Sequence, residues 1–228
     1  MTAVHLLHQN RYPFHVIAVL TSASLGAAEE IFEFFVDNGI IDVGFNVEER
    51  EGVNKSSSLQ NVPDAAVRSF FETMAALCAR HPGTLRIREL DGAANAILDP
   101  QCSGYGNPQA QALRIVTVSV DGSLSTFSPE LTGTSSVAYG DFKFGSVYSG
   151  GIAGMLCDPF FIKAERDIAR GVERCRSSCD YFEVCLGGAP ANKHFENGDF
   201  ATSETMYCRF SKKAVVDVVL AALEQPRD

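Results

Sequence analysis

The stretch FHVIAVLTSASLGAAEEIFEFFVDNGIIDVGFNV, residues 14–47, reads as strand, helix, strand. Phe14 to Leu20 is a β-branched, apolar run of the kind a buried parallel strand carries. Thr21 or Ser22 is placed to cap the helix that follows. Glu29, Glu30 and Glu33 fall on its outer face, and Leu25, Ile31, Phe32, Phe35 and Val36 form the inner face at helical spacing. Asn38-Gly39 supplies the stop, and Ile41 to Val47 is the next strand. Upstream, Ala3 to Asn10 reads as the last turns of an earlier helix. Downstream, Val62 to Arg80 is a third, amphipathic helix stopped by His81-Pro82-Gly83. This alternation is the repeat of an α/β barrel or doubly wound sheet. Two parallel strands alone leave open edges of unpaired backbone groups. The first part of the chain is therefore expected to belong to a larger α/β layer whose earlier units lie elsewhere.

The rest of the composition narrows the class. A chain of 228 residues allows one domain or two small ones. Nineteen Lys plus Arg against 28 Asp plus Glu give a formal charge of −9, which argues against a nucleic-acid partner. No apolar run reaches the ~18 residues of a membrane span. Phe14 to Leu20 is short and has no cleavage-site flank, so it does not read as a signal peptide. A cytoplasmic location is expected, where disulfides are disfavoured. Seven cysteines then need another explanation.

After residue 90 the texture changes. Leu113 to Val120 and Ser123 to Phe127 flank an Asp121-Gly122 turn and read as a hairpin. A short strand is expected at Phe142 to Val147, a helix over 158–173 and a final helix over 211–224, with little periodicity between Cys175 and Cys208. The expected division is residues 1–95, an α/β domain, and residues 96–228, a small loop-rich α+β domain.

Four cysteines in that aperiodic segment, Cys175, Cys179, Cys185 and Cys208, have the spacing C-x3-C-x5-C-x22-C. Clustered thiols in a Gly-rich segment of a reducing compartment are the pattern of a metal site, and with no local apolar core the metal is expected to organise the loop. Four thiolates suit zinc or a four-iron four-sulfur cluster. Gly187-Gly188, directly after Cys185, would let backbone approach a bulky cluster and so favours iron–sulfur. Cys78 and Cys157 read as structural thiols, on a helix face and at a helix start.

The run Cys175-Arg-Ser-Ser-Cys179-Asp-Tyr-Phe-Glu-Val-Cys185-Leu-Gly-Gly, followed by Asn192-Lys193, Glu196-Asn197-Gly198 and Tyr207-Cys208, resembles the SPASM domain of radical S-adenosylmethionine (radical SAM) enzymes. It is most similar to peptide maturases of the cyclophane-forming, Gly-rich-precursor (GRRM) type. Pro13 to Thr21, with Gly44-Phe45-Asn46-Val47-Glu48-Glu49, resembles the fifth and sixth strands of the radical SAM partial barrel. The resemblance implies the C-terminal part of that barrel followed by a SPASM auxiliary iron–sulfur domain, with one auxiliary 4Fe-4S cluster held by Cys175, Cys179, Cys185 and Cys208. A second auxiliary cluster is not implied, because Phe127 and Ala189 stand where its further cysteines would be, and Cys102 is left an orphan. By the same resemblance Thr21, Ser22, Asn46 and Glu48 are candidate contacts to S-adenosylmethionine (SAM), the alternative for Thr21 and Ser22 being a helix cap. Glu49, Arg50 and Glu51 read better as a solvated loop. His194 reads as a surface or supporting residue, and Lys193 with Glu196 as a structural pair.

The family's SAM-cleaving cluster needs C-x3-C-x2-C, and this sequence has no such triplet. Met1 is then expected to be a misplaced start, or the gene to be split or decayed. The implied function is part of an enzyme that cross-links a ribosomally made precursor peptide by radical chemistry, partnered by that peptide and by a separate N-terminal half-barrel chain, and not active alone. The alternatives are a non-catalytic iron–sulfur remnant or peptide-binding subunit, and a zinc-stabilised interaction domain.

Overall fold

The computed structural model describes residues 2–99 and 106–224. The chain folds as two compact units, Met1–Glu48 with Ser57–Asp99 and Arg209–Asp228, and Glu49–Ser56 with Pro100–Cys208.

The first unit runs α1 (Thr2–Gln9), β1 (Val16–Leu20), α2 (Ala28–Asp37), β2 (Asp42–Val47), α3 (Asp64–Arg80), β3 (Arg86–Ile87) and α4 (Arg88–Leu98). The strands form a parallel sheet in the order β1-β2-β3. Val16 to Leu20 pair in register with Val43 to Val47, as the two apolar runs imply. The helix between them begins later than Thr21 and Ser22 predict. Its N-cap is Ala27, which makes no side-chain cap, because residues 21–27 form a separate turn closed by Ser24 on Thr21. At its other end Asn38-Gly39 acts as read. Gly39 takes a left-handed φ of 65°, its N–H donates to Val36 O (3.0 Å), and the next N–H, from Ile40, reaches back to Phe35 O (2.9 Å).

The third strand, β3, has only two residues and no sequence signal. It stops because the chain turns into α4 there, and the Glu89 carboxylate takes the Phe45 N–H (2.8 Å) that a longer neighbour strand would have bonded. One face of the sheet packs on α2 and α3, where Phe45 meets Phe70 and Phe71 edge-on at 5.2 and 6.2 Å. Val67, Phe70, Phe71, Met74 and Leu77 recur at helical spacing and are the buried stripe of α3. The last helix, α10 (Ala214–Glu224), follows a π-helical turn over Arg209–Lys213 and packs on α3 and α4. Val215, Val216, Val218 and Val219 are buried there. The sequence-based boundary assigns residues 209–224 to the second domain, whereas their apolar side chains belong to the first unit's core.

The second unit holds an antiparallel sheet, β4 (Val116–Val118), β5 (Ser123–Thr126) and β6 (Gly145–Ser146), in that order. The Asp121-Gly122 turn forms as predicted, with Gly122 at a φ of 78° and Asp121 Oδ1 accepting the Ser123 N–H (3.0 Å). After α5 (Gly151–Leu156), α6 (Pro159–Ser178) is capped by Asp158, whose Oδ1 accepts the N–H groups of Phe160 and Phe161, both at 2.9 Å. Two short helices follow, α7 (Phe182–Cys185) and α8 (Pro190–Asn197), and then α9 (Met206–Cys208). Phe127, Tyr139, Phe142, Phe144, Phe161 and Phe200 build an aromatic core with Met155 and Ile168. The segment between Cys175 and Cys208 is therefore largely helical and is pinned to this core through Ala191 and Phe200, contrary to the expectation of an irregular loop without apolar anchorage.

Candidate functional site

The four candidate SAM contacts fall at the C-terminal ends of β1 and β2, where an α/β barrel places its chemistry. A serine loop ties the two ends together. Ser22 N–H donates to Ser58 Oγ (3.0 Å), Ser58 N–H donates to Glu48 Oε2 (2.6 Å), and Ser57 Oγ donates to Glu48 O (2.6 Å). These donors hold the Glu48 carboxyl below the ordinary glutamate range. Asn46 is engaged as well: its Oδ1 accepts from Arg88 Nη2 (2.7 Å), and the Arg88 guanidinium lies flat on Gly44, where a Cβ would stand 2.6 Å from Cζ. Thr21 and Ser22 keep their hydroxyls uncommitted among the described residues. Asn46 Oδ1 and Glu48 Oε2 already have partners, which hold the two side chains in place at the strand ends.

A cleft of about 650 Å³ sits at the other end of the same strands, lined by His15, Asp42, Gly44, Arg86, Arg88 and Asp91 among others. Arg86 grips Asp42 through two bonds (2.6 and 2.8 Å), which holds the Asp42 carboxyl low. None of the four candidate contacts lines this cleft.

The four thiols sit at the ends of three helices of the second unit, α6, α7 and α9. Cys175 lies in the last turn of α6 and is buried; Cys179 is the C-cap of that helix, its N–H bonded to Cys175 O (3.0 Å). Cys185 ends α7, and Cys208 ends α9. After Cys185 three successive residues, Leu186, Gly187 and Gly188, take left-handed φ values of 54°, 94° and 70°. Leu186 carries a strained conformation, and Gly187 packs against Val172 so closely that a Cβ would meet its methyl groups at 3.0 and 3.2 Å. Cys208 Sγ accepts the Thr205 N–H (3.3 Å). Burial pushes the Cys208 thiol up, and the neighbouring Cys185 adds to the rise. The Cys175 sulfur has Lys193 Nζ at 3.5 Å, with Ser203 O at 3.7 Å and Gly187 O at 3.9 Å. Among the described residues, no three His, Cys, Asp or Glu side chains converge on the position of a single metal ion. As a donor set, four thiols without carboxylate or imidazole fit iron–sulfur or zinc chemistry.

The helix α8 serves the thiols at two points. Lys193 reaches Cys175, while Glu196 accepts the N–H groups of Met206 and Tyr207 (3.1 Å for Tyr207), the residues just before Cys208. They do not pair with one another as the sequence reading has it. His194, between them, is surrounded by Tyr139, Phe142, Phe195 and Phe200, and burial lowers its pKa. Cys78 is half-buried on α3, and burial raises its thiol. Cys157 is exposed at the C-cap of α5. Cys102 lies outside the described residues.

Sequence reasoning missed Glu49. Rather than a solvated loop residue, it is a largely buried carboxyl raised to about 7 by burial, against the pull of a hydrogen bond from Asn192 Nδ2 and with Glu51, Glu130 and Glu196 adding to the rise. Its signal lay in Asn192, a buried amide within a motif that resembles an iron–sulfur domain.

No protein-family model matches the chain. It is 39% identical over 226 residues to the uncharacterized protein sll1766 of Synechocystis sp., a match that spans 99% of this chain and 56% of that protein. Among solved structures it is similar to native anSMEcpe with bound AdoMet, at a TM-score of 0.67 and 18% identity, over 97% of this chain and 59% of that one. Native anSMEcpe with bound AdoMet and Cp18Cys peptide gives a TM-score of 0.67 at 17% identity, over 97% and 60%. anSMEcpe is an anaerobic sulfatase-maturating radical SAM enzyme. The chain thus spans little more than half the length of the proteins it matches. At these identities the likeness is one of fold, and the fold is of the expected class: an α/β layer with a small α+β domain, similar over 97% of the chain to the anSMEcpe structures.

Proposed function

We propose that the chain is the C-terminal portion of a radical SAM/SPASM enzyme that cross-links a ribosomally synthesised precursor peptide, and that Cys175, Cys179, Cys185 and Cys208 hold an auxiliary 4Fe-4S cluster. The observation that carries the reading is the thiol set: four cysteines on adjoining helix ends, with Cys185 and Cys208 in electrostatic reach of one another and Cys175 sunk beside an ammonium. A four-iron four-sulfur cluster takes one thiolate per iron, and the four cysteines supply that donor set. The AdoMet and peptide bound by the similar structures support the SAM and peptide parts of the reading. When bound, the cluster would supply one-electron chemistry. The chain's own residues orient and bind: Thr21 and Ser22 offer hydroxyls at the strand ends, and Asn46 and Glu48 are held in place by Arg88 and the serine loop. A separate N-terminal half-barrel would complete the SAM site, and the chain by itself would not cleave SAM.

The test is anaerobic reconstitution of the chain. About four irons with matching acid-labile sulfide are expected. Cys179→Ala or Cys185→Ala should lose most of that iron, and Cys78→Ala should keep it. One zinc per chain and no iron would instead support the zinc-stabilised interaction domain.

A further inference from the structure

We infer that Lys193 is a positioning residue for the four-thiol site, which sets how readily a bound cluster is reduced by holding its ammonium against the Cys175 sulfur. The inference rests on the iron–sulfur reading above and goes beyond it, since thiol spacing alone says nothing of charge around the ligands.

Lys193 is 4% exposed, and lysine is rarely buried without an anionic partner. Among the described residues no carboxylate stands within ion-pair distance of it, and the partner its Nζ finds is Cys175 Sγ at 3.5 Å. Cys175 is itself 7% exposed. The room for the ammonium is made on α6: Gly171 has no Cβ, and one would stand 3.1 Å from Lys193 Nζ. The other groups that face the sulfur are the carbonyl oxygens of Ser203 and Gly187, at 3.7 and 3.9 Å. Two carbonyl dipoles aimed at a neutral thiol are harmless, but they oppose the negative charge of a metal-bound thiolate. The ammonium is the group that offsets them. A buried cation and a sulfur that becomes anionic on ligation therefore complete each other: the lysine gains its counter-charge and the thiolate gains a donor in a low-dielectric setting.

The consequence is electrochemical. Charge and hydrogen bonds at the sulfurs set an iron–sulfur cluster's potential. Reduction adds a negative charge, so a fixed positive charge at one ligand favours the reduced form and raises the potential. Removing it lowers the potential.

The experiment is an anaerobic redox titration of the reconstituted full chain, followed by visible absorption and by electron paramagnetic resonance. Lys193→Met, which keeps the stem and drops the charge, should retain iron and sulfide and titrate at a more negative midpoint. Lys55→Met, on an exposed loop, should titrate with the wild type. An unshifted midpoint in Lys193→Met would overturn the assignment. Should Lys193→Met fail to hold iron, the wild type decides: with ¹⁵N-labelled lysine, double resonance on the reduced cluster shows a nitrogen coupling if Lys193 bonds the ligand, and its absence overturns the proposal. Failure of the wild type to take up iron and sulfide would overturn the cluster reading and this inference with it, whereas iron uptake with an unmoved midpoint removes the role of Lys193 alone.

Discussion

Glu48 and Glu49 are neighbours in sequence, and their carboxyl groups are pushed in opposite directions. Ser58 and Ser57 donate to Glu48 and favour its charge. Glu49 is buried near three other carboxylates, with Asn192 as its donor, and its pKa rises from 4.5 to about 7. An acid whose folded pKa lies above its unfolded value keeps its proton longer in the folded state. Its stabilising share is full below pH 4.5 and is lost as the pH rises to about 7. A rise from 4.5 to about 7 corresponds to a loss on the order of 3 kcal/mol across that window. Glu49→Gln, which retains the amide-sized side chain without the charge, should flatten urea-unfolding stability between those pH values and leave the variant more stable than wild type at pH 8. Equal pH profiles for the two proteins would show that Glu49 titrates as an ordinary exposed carboxylate. A carboxyl perturbed this far next to a buried amide is also the kind of group that active sites use, and no periodicity or spacing in the sequence singles it out from Glu51.

At the scale of elements, α6 shows how packing overrides a local preference. Gly171 lies inside this helix, where alanine would by propensity alone be worth about 1 kcal/mol more. Yet a Cβ there would come within 2.1 Å of Phe200 O and 3.0 Å of Thr202 O. The loop after α8 is laid onto the helix through this gap and held by Arg174 Nη1 on Ala201 O (2.6 Å). Gly171→Ala must displace backbone and should destabilise by about 2–3 kcal/mol, the range of overpacked cores. Thermal unfolding of the variant checks this, and any gain in stability would mean the loop is not seated as described. The helix itself was only partly legible. The Asp158-Pro159 start is a strong capping signal, but the sequence puts the end at residue 173, short of the observed Ser178, because Cys175, Cys179 and the glycines after Cys185 look like a loop. Tertiary anchors decide that segment: Ala191 and Phe200 enter the aromatic core from positions with no sequence period of their own. In the same way β1, α2, β2 and α3 were readable from long apolar patterns, while β3, two residues whose pairing is ended by Glu89, carried no pattern at all. The return of α10 to the first unit follows from where its valines find a core, which neighbouring sequence does not encode.

The whole chain carries an unfinished surface in its first unit. Parallel sheets are normally covered on both faces. Here α2 and α3 cover the face bearing Leu20, Val43, Phe45 and Val47, which are all buried. On the opposite face Ile17 and Val19 of the edge strand remain 51% and 58% exposed. They stand beside Gly44 and Asn46, which Arg88 covers on β2. The free side of β1 continues into an apolar depression of about 330 Å³ lined by Val19, Leu20, Ile31, Phe34, Phe35 and Phe45. Phe34 is 47% exposed. Such an edge and face invite another strand, and the proteins this chain matches are nearly twice as long. We expect the N-terminal part of such a protein, supplied as a separate chain, to dock here. In the isolated protein, hydrogen exchange should find the outward amides of β1 unprotected and those bonded to β2 protected, and should show all of them protected once the second chain is added. Ile17→Lys with Val19→Lys should cost about 1 kcal/mol or less in the isolated protein, since both side chains already sit half in water, and should reduce self-association and abolish docking. A large loss of stability in the double variant, or full protection of β1 in the monomer, would show that something within the chain already covers this face.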